Sequence, residues 1–242
     1  MNALYKNIDL FCSLLKSANQ DDNPFVLSTP EEQNNKSSKP VVNKPVTEKR
    51  DRFNGAEGEE RQKLIQQEAM SKGYTLVPVQ ITPLNSEQVK QGLSNMLSKR
   101  FPKLELDAIE EFVYVLMAQI KLETGMSKSH NWNVGNIHAV PRQQNEFWKG
   151  LVSAWDDPQY DKKGNKYVNV DWFWRAYATL EEGLGDYYLF LEARFPQAVE
   201  YAKQGDAYNF GQALGKGGYY TANKQVYSNG LVKIKDGFKK HR

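Results

Sequence analysis

Glu123 is the residue in this chain best placed to do chemistry. It follows Ile109, Phe112, Val113, Leu116 and Ile120, which recur at helical spacing, and it lies seven residues after Leu116, so it shares their stripe. The pattern predicts a helix that opens on a capping box at Asp107 and Glu110 and stops at Gly125. At such a helix end, apolar neighbours and the negative end of the helix dipole both favour the protonated carboxyl. An acid kept neutral near pH 7 can protonate the oxygen of a departing sugar, which is the task of the general acid in a glycosidase. Taken alone, a helix-end Glu fits a structural role better, either swung to the surface or capping a neighbouring segment.

The residues around it narrow that choice. Ala118 and Gln119 precede Glu123, Thr124 and Gly125, and Ser127 or Ser129 follows. An Asn-rich turn then holds Asn131, Asn133, Gly135, Asn136 and Ile137. This stretch resembles the glucosaminidase family of peptidoglycan hydrolases, which includes flagellar muramidase-like domains and many autolysins. The family turn usually reads Asn-Asn-x-Phe-Gly-Ile, whereas Trp132 and Val134 interrupt it here and Asn136 separates Gly135 from Ile137. The likeness continues downstream. Phe173 to Leu191 resembles the family's Phe-Arg-x-Tyr segment and the helix after it, and Phe210 to Ile234 is similar to its Gly-Tyr-x-Thr-x-x-x-Tyr ending.

The resemblance implies a mainly α (α+β) fold: a lysozyme-like, two-lobed helical domain with a small β hairpin. A peptidoglycan glycan strand would lie in the cleft between the lobes, with Glu123 donating a proton and later taking one back. Tyr219 matches the family's Gly-Tyr-x-Thr better than Tyr220 does, and would stabilise the oxocarbenium-like state or position the N-acetyl group. Ser127, Ser129 and Asn136 are candidates for binding substrate amides. Trp132, Trp155 and Trp172 are candidates for stacking on sugars, although each fits a core position as well.

The family's second acid, a Glu followed by Tyr ahead of the hairpin turn, falls at Gln159 and Tyr160. Asp157 or Asp156 can substitute for it, or both can simply shape the loop before Pro158; Asp161 and Asp171 are weaker candidates. A retaining pair of carboxyls stands about 5–5.5 Å apart and an inverting pair about 6.5–9.5 Å. Without a second carboxylate, the substrate's N-acetyl group can attack the anomeric carbon. A lytic transglycosylase, which also resembles lysozyme, closes an anhydro ring with one acid. The expectation is a glycan-cleaving enzyme, a β-N-acetylglucosaminidase ahead of a lytic transglycosylase, and the alternative is a wall-binding or virion structural protein that has kept the fold and lost turnover.

The elements that must position these residues are legible in outline. A weak helix is expected over Glu59–Met70 and an extended segment over Tyr74–Ile81. A helix capped by Asn85 or Ser86 carries Val89, Leu93, Met96 and Leu97 and ends near Phe101. Alternation around Val168, Val170, Trp172 and Trp174, with a turn at Gly164 and Asn165, predicts a hairpin from Trp155 to Trp174. Thr179 and Glu182 form a capping box for a helix bearing Leu184, Tyr187, Tyr188 and Leu191. Shorter helices follow over Pro196–Gln204 and Asp206–Leu214, and a last one carries Tyr227, Leu231, Ile234 and Phe238.

Residues 62–242 are thus expected to form the domain. Before them, Ala3 to Lys16 has Leu4, Ile8, Phe11, Leu14 and Leu15 at helical spacing. Residues 17–61 are too polar to bury a core and read as a flexible tether. The short helix is a candidate for docking on a protein partner, on another copy or on the domain.

Across 242 residues the net charge is +3, compatible with an anionic wall but too dilute for a nucleic-acid-binding stripe. A single cysteine, Cys12, rules out an intrachain disulfide, and His130, His138 and His241 lack metal-ligand spacing, so no metal or cofactor is expected. No run is long enough to span a membrane, and the N-terminus lacks a basic start with an apolar core. Carriage to the bacterial wall by a phage particle or another assembly is the expectation.

Overall fold

The computed structural model describes residues 49–50, 58–154, 157–160, 166–169, 173–220 and 222–240. Seven helices run through the described residues: α1 (Gly58–Ser71), α2 (Ser86–Arg100), α3 (Leu106–Thr124), α4 (Leu180–Arg194), α5 (Pro196–Lys203), α6 (Ala207–Lys216) and α7 (Lys224–Lys240). Eight short strands accompany them: β1 (Lys49–Arg50), β2 (Thr75–Leu76), β3 (Ile81–Pro83), β4 (Lys128–His130), β5 (Leu151–Ala154), β6 (Asp157–Tyr160), β7 (Lys166–Asn169) and β8 (Phe173–Arg175). The fold is therefore mainly α with small β sheets.

Helix α3 is the axis of the larger core. From Phe112 to Ile120 every residue is buried, so this helix is apolar all round and not striped, as a run reading FVYVLMAQI requires. Around it pack Val89, Leu93 and Leu97 of α2, Leu184, Tyr187, Tyr188 and Leu191 of α4, and the apolar faces of α5, α6 and α7. A second, smaller core joins Ile65 and Ala69 of α1 to Tyr74, Trp148, Val152, Phe173 and Tyr177. Trp132 packs against both.

The hairpin is longer than its alternation predicts. Strand β6 pairs antiparallel with β7, as expected, and β5 continues the pairing antiparallel to β8 with Ser153 opposite Trp174. Strand β2 adds to β5 in parallel, and β3 pairs antiparallel with β4.

The helix caps correct one expectation. Asp107 does not cap α3, which begins one residue before it, with Glu105 at the N-cap and no side-chain bond there. Asp107 lies instead in the first turn, where its charge faces the positive end of the helix dipole. Helix α1 begins at Gly58, one residue before the weak helix expected over Glu59–Met70. Asn85 and Thr179 cap α2 and α4 as expected, their side chains accepting from Gln88 N and Glu182 N. The amphipathic segment over residues 3–16 and nearly all of the tether lie outside the described residues. So do Trp155, Asp156, Asp161, Asp171, Trp172 and His241.

Candidate functional site around Glu123

Glu123 is the penultimate residue of α3, half-buried where the helix stops. The stop is sharp because Gly125 takes the left-handed conformation, φ 67°, while its N–H still bonds Lys121 O at 2.8 Å. Thr124 ties off the turn, its hydroxyl donating to Ile120 O at 2.6 Å and accepting from Met126 N at 3.1 Å. The carboxyl is thereby fixed at the negative end of the helix rather than on a flexible loop.

The Asn-rich turn that follows spends its amides on backbone groups, within the turn and on either side of it. Asn131 accepts from Gln80 N and donates to Pro78 O, and Asn133 both donates to Ile137 O and accepts from Ile137 N. Asn136 Nδ2 reaches Glu123 O at 3.4 Å, so it holds the helix end through the main chain. Gly135 lies against Tyr187; a Cβ there would come within 2.8 Å of that ring.

Tyrosines wall the carboxyl. Tyr227 of α7 donates its phenol hydrogen to Glu123 Oε1 at 3.0 Å, and Tyr220 stacks on Tyr227 with ring centroids 3.7 Å apart and planes inclined by 16°. Tyr220 is held in turn by donation to Gly211 O at 2.8 Å. Tyr219 donates to Gly135 O at 3.2 Å, and Tyr187 donates to Gln119 Oε1 on α3. Burial first, and then the charge of Glu123, holds the phenols of Tyr219 and Tyr227 well above the usual tyrosine range. Tyr187 is raised likewise, by burial, then by Tyr219 and Glu123. All three stay protonated, as donors beside an acid.

The structure brings some sequence candidates to Glu123 and leaves others elsewhere. Tyr219 and Asn136 are there, although Tyr219 points its hydroxyl at a carbonyl. Ser127 is exposed beside the helix end, within 3.5 Å of Thr124 O. Ser129 is buried in β4 with its hydroxyl 2.8 Å from that of Thr82, so it braces the β3–β4 pair. Asp157, Gln159 and Tyr160 are in β6, paired with Asn169, Tyr167 and Lys166. Tyr227 is the residue that sequence reasoning missed. Helical spacing marks it only as one apolar position of α7, and it stands eight residues after Tyr219, two further than the family's Gly-Tyr-x-Thr-x-x-x-Tyr ending places its second tyrosine.

A second carboxylate anchors the β side to the helices. Asp186 of α4 is fully buried and accepts both Nη1 bonds of Arg175, at 2.9 and 2.8 Å. It also accepts from Asn145 Nδ2 at 2.6 Å and from the phenol of Tyr177. Arg175 lies over Trp148, 4.4 Å from the ring, and donates to Gln143 at 2.8 Å. The Arg-x-Tyr residues of the sequence motif thus converge on one buried acid and serve architecture.

No family model matches the chain, and no curated protein matches it. Among solved structures, a peptidoglycan hydrolase from Sphingomonas sp. A1 is similar at 27% identity and a TM-score of 0.39, over 54% of this chain and 80% of that one. A mutant of the Sphingomonas sp. A1 peptidoglycan hydrolase is similar at 24% identity and a TM-score of 0.39, over 63% of this chain and 86% of that one.

Proposed function

We propose that this protein cleaves peptidoglycan glycan strands, as a β-N-acetylglucosaminidase with Glu123 as general acid and then base. The observation that carries this reading is the setting of Glu123: a helix-end carboxyl, half-buried, bonded by the phenol of Tyr227, with Tyr219 and Tyr187 beside it and Tyr220 stacked behind Tyr227. The glucosaminidase-like residue pattern from Ala118 to Ile137 supports it.

In this mechanism Glu123 protonates the glycosidic oxygen as the bond to the anomeric carbon breaks. Tyr227 is a positioning residue that fixes the carboxyl's rotamer through Oε1. Tyr219 and Tyr187 keep bulk water from one side of the acid and brace the turn against it. With an amide at Gln159 where the family has its second acid, attack by the substrate's own N-acetyl oxygen is the favoured second half. The oxazolinium intermediate is then opened by a water that Glu123 deprotonates. Asp157 is the alternative base. We further propose that the chain works in a phage particle or a comparable assembly that delivers it to the wall.

The deciding experiment is mass analysis of soluble products from purified peptidoglycan treated with the wild type and with Glu123→Gln. Hydrolysis gives products reducible by borohydride, with N-acetylglucosamine at the new reducing end. Products lighter by one water would replace this reading with lytic transglycosylation. Binding to peptidoglycan by both proteins with no products from either would replace it with a wall-binding role, the reading that Gln159 favours.

A further inference from the structure

A groove of about 820 Å³ runs between α2 and the start of α4, and neither Glu123 nor any tyrosine bonded to it lines this space. Its walls combine three aromatic residues, Trp132, Phe147 and Tyr188, with the side-chain amides of Gln88, Gln91 and Asn95 and the cap residue Thr179. The amides fall at positions i, i+3 and i+7 of α2, one exposed face of that helix, and Gln91 Nε2 donates to Asn95 Oδ1 at 2.8 Å.

The walls are rigid. At Gly92 the helices approach so closely that a Cβ would come within 2.6 Å of Leu184. Phe147 is seated over Gly185, where a Cβ would come within 2.5 Å of its ring. The backbone of Trp132 rests on Gly183, where a Cβ would come within 2.1 Å of the Trp132 carbonyl oxygen.

We propose that this groove is a second, non-catalytic binding stretch for a β-1,4-linked N-acetylhexosamine chain, a deepening that rests on the glycan-cleaving reading of Glu123. The chemistry of the walls selects the ligand class. A pyranose ring presents an apolar face that packs on an aromatic plane and an equatorial rim of hydroxyl and acetamido groups. Side-chain amides, each with two donors and an acceptor, match that rim.

Charge gives no reason to expect an ionic ligand. Lys99, Arg100 and Glu181 border the groove with both signs present, and Arg100 is already paired with Glu192. The volume lies within the roughly 300–1,000 Å³ usual for small-ligand sites. The Asn-rich turn links the groove to the catalytic candidate, since Asn136 at one end of the turn holds the Glu123 main chain while Trp132 near the other lines the groove.

The test titrates chitotetraose into full-length Glu123→Gln protein and follows backbone amide and tryptophan indole resonances. Shifts at Gln88, Gln91, Asn95 and the Trp132 indole are expected, and a further triple change Gln88→Ala, Gln91→Ala, Asn95→Ala is expected to weaken that binding about tenfold. These three side chains are exposed, so the triple variant keeps the wild-type melting profile. In the Glu123 background it cleaves a short soluble substrate at the wild-type rate and solubilises intact sacculi more slowly. Shifts confined to residues around Glu123, or a triple variant with unchanged affinity, would overturn the groove proposal while leaving the Glu123 reading standing. Shifts in the groove without cleavage of any glycan by wild-type protein would sink the Glu123 reading instead. Groove shifts produced by an unrelated apolar peptide, and none by the sugar, would show a protein-docking surface and also overturn it.

Discussion

Asp186 and Glu123 are both acids beside tyrosines, yet the fold treats them in opposite ways. Asp186 is sealed from solvent and receives a guanidinium, an amide and a phenol, so its oxygens are committed. Glu123 stands half-exposed at a helix end, and a neutral phenol orients it. Burial with a cation makes an acid a fastening between elements, whereas partial exposure keeps an acid within reach of solvent and ligand. A tyrosine near an acid is thus an ambiguous sequence signal, resolved only by what else reaches the carboxyl.

The comparison breaks most visibly if the two acids are removed in turn. Glu123→Gln is expected to cut glycan cleavage by about 10²–10⁴-fold, as loss of a general acid does, with the melting temperature nearly unchanged. Asp186→Ala leaves Arg175 buried without its partner and is expected to cost about 3–5 kcal/mol. In a domain of this size that lowers the melting temperature by roughly 6–20 °C. Calorimetry and product assays on the pair should show a clean crossing of the two effects; a collapse of stability in Glu123→Gln would make Glu123 a second fastening.

Smaller changes sharpen the contrast. Gly183→Ala drives a methyl into the Trp132 carbonyl, and overpacking of this kind costs about 1–3 kcal/mol, read as a shift in denaturant midpoint. Tyr227→Phe keeps the ring stacked on Tyr220 and removes only the bond to Glu123. Turnover should fall about tenfold, near 1.4 kcal/mol, with KM little changed. Because the Tyr227 phenol is held well above the usual range, its own ionisation does not set the alkaline limb of the wild-type pH profile.

The smallest effect belongs to Glu111. Burial pushes its carboxyl up, but bonds from Lys235 and Lys239 prevail and hold it below its ordinary value of 4.5. A carboxylate depressed in the folded state stabilises fully above its unfolded value and loses that contribution as pH falls through the lower folded value. Glu111→Gln should therefore flatten the acid side of the stability curve below about pH 4.5 and change little at neutrality.

Much of this was written in local pattern. The stop at Gly125, the caps at Asn85 and Thr179 and the breaks around Pro196 rest on short-range sterics and hydrogen bonding, and they stand where the sequence puts them. Tertiary choices were not legible. Nothing in a helical period distinguishes Tyr227, bonded to Glu123, from a core tyrosine. Likewise Ser129 could not be known to face Thr82 until β3 and β4 were paired. Asp107 resembles a cap because it precedes Glu110 by three, but the helix starts two residues earlier than that cap implies, with Glu105 at the N-cap. The Arg175–Asp186 pair joins two segments whose sequence motif was visible only as a resemblance.

Between the end of α3 and the end of the Asn-rich turn, four residues other than glycine carry positive φ: Met126, Asn131, Trp132 and Asn136. Asparagine tolerates that backbone shape, while a bulky residue such as Trp132 is held there against its preference. As related chains diverge, this stretch should therefore change by a restricted alphabet, with Asn, Asp and Gly exchanging at 131 and 136 while β-branched residues are purged. Drift would be slowest on the few residues that bridge the helix end to the groove.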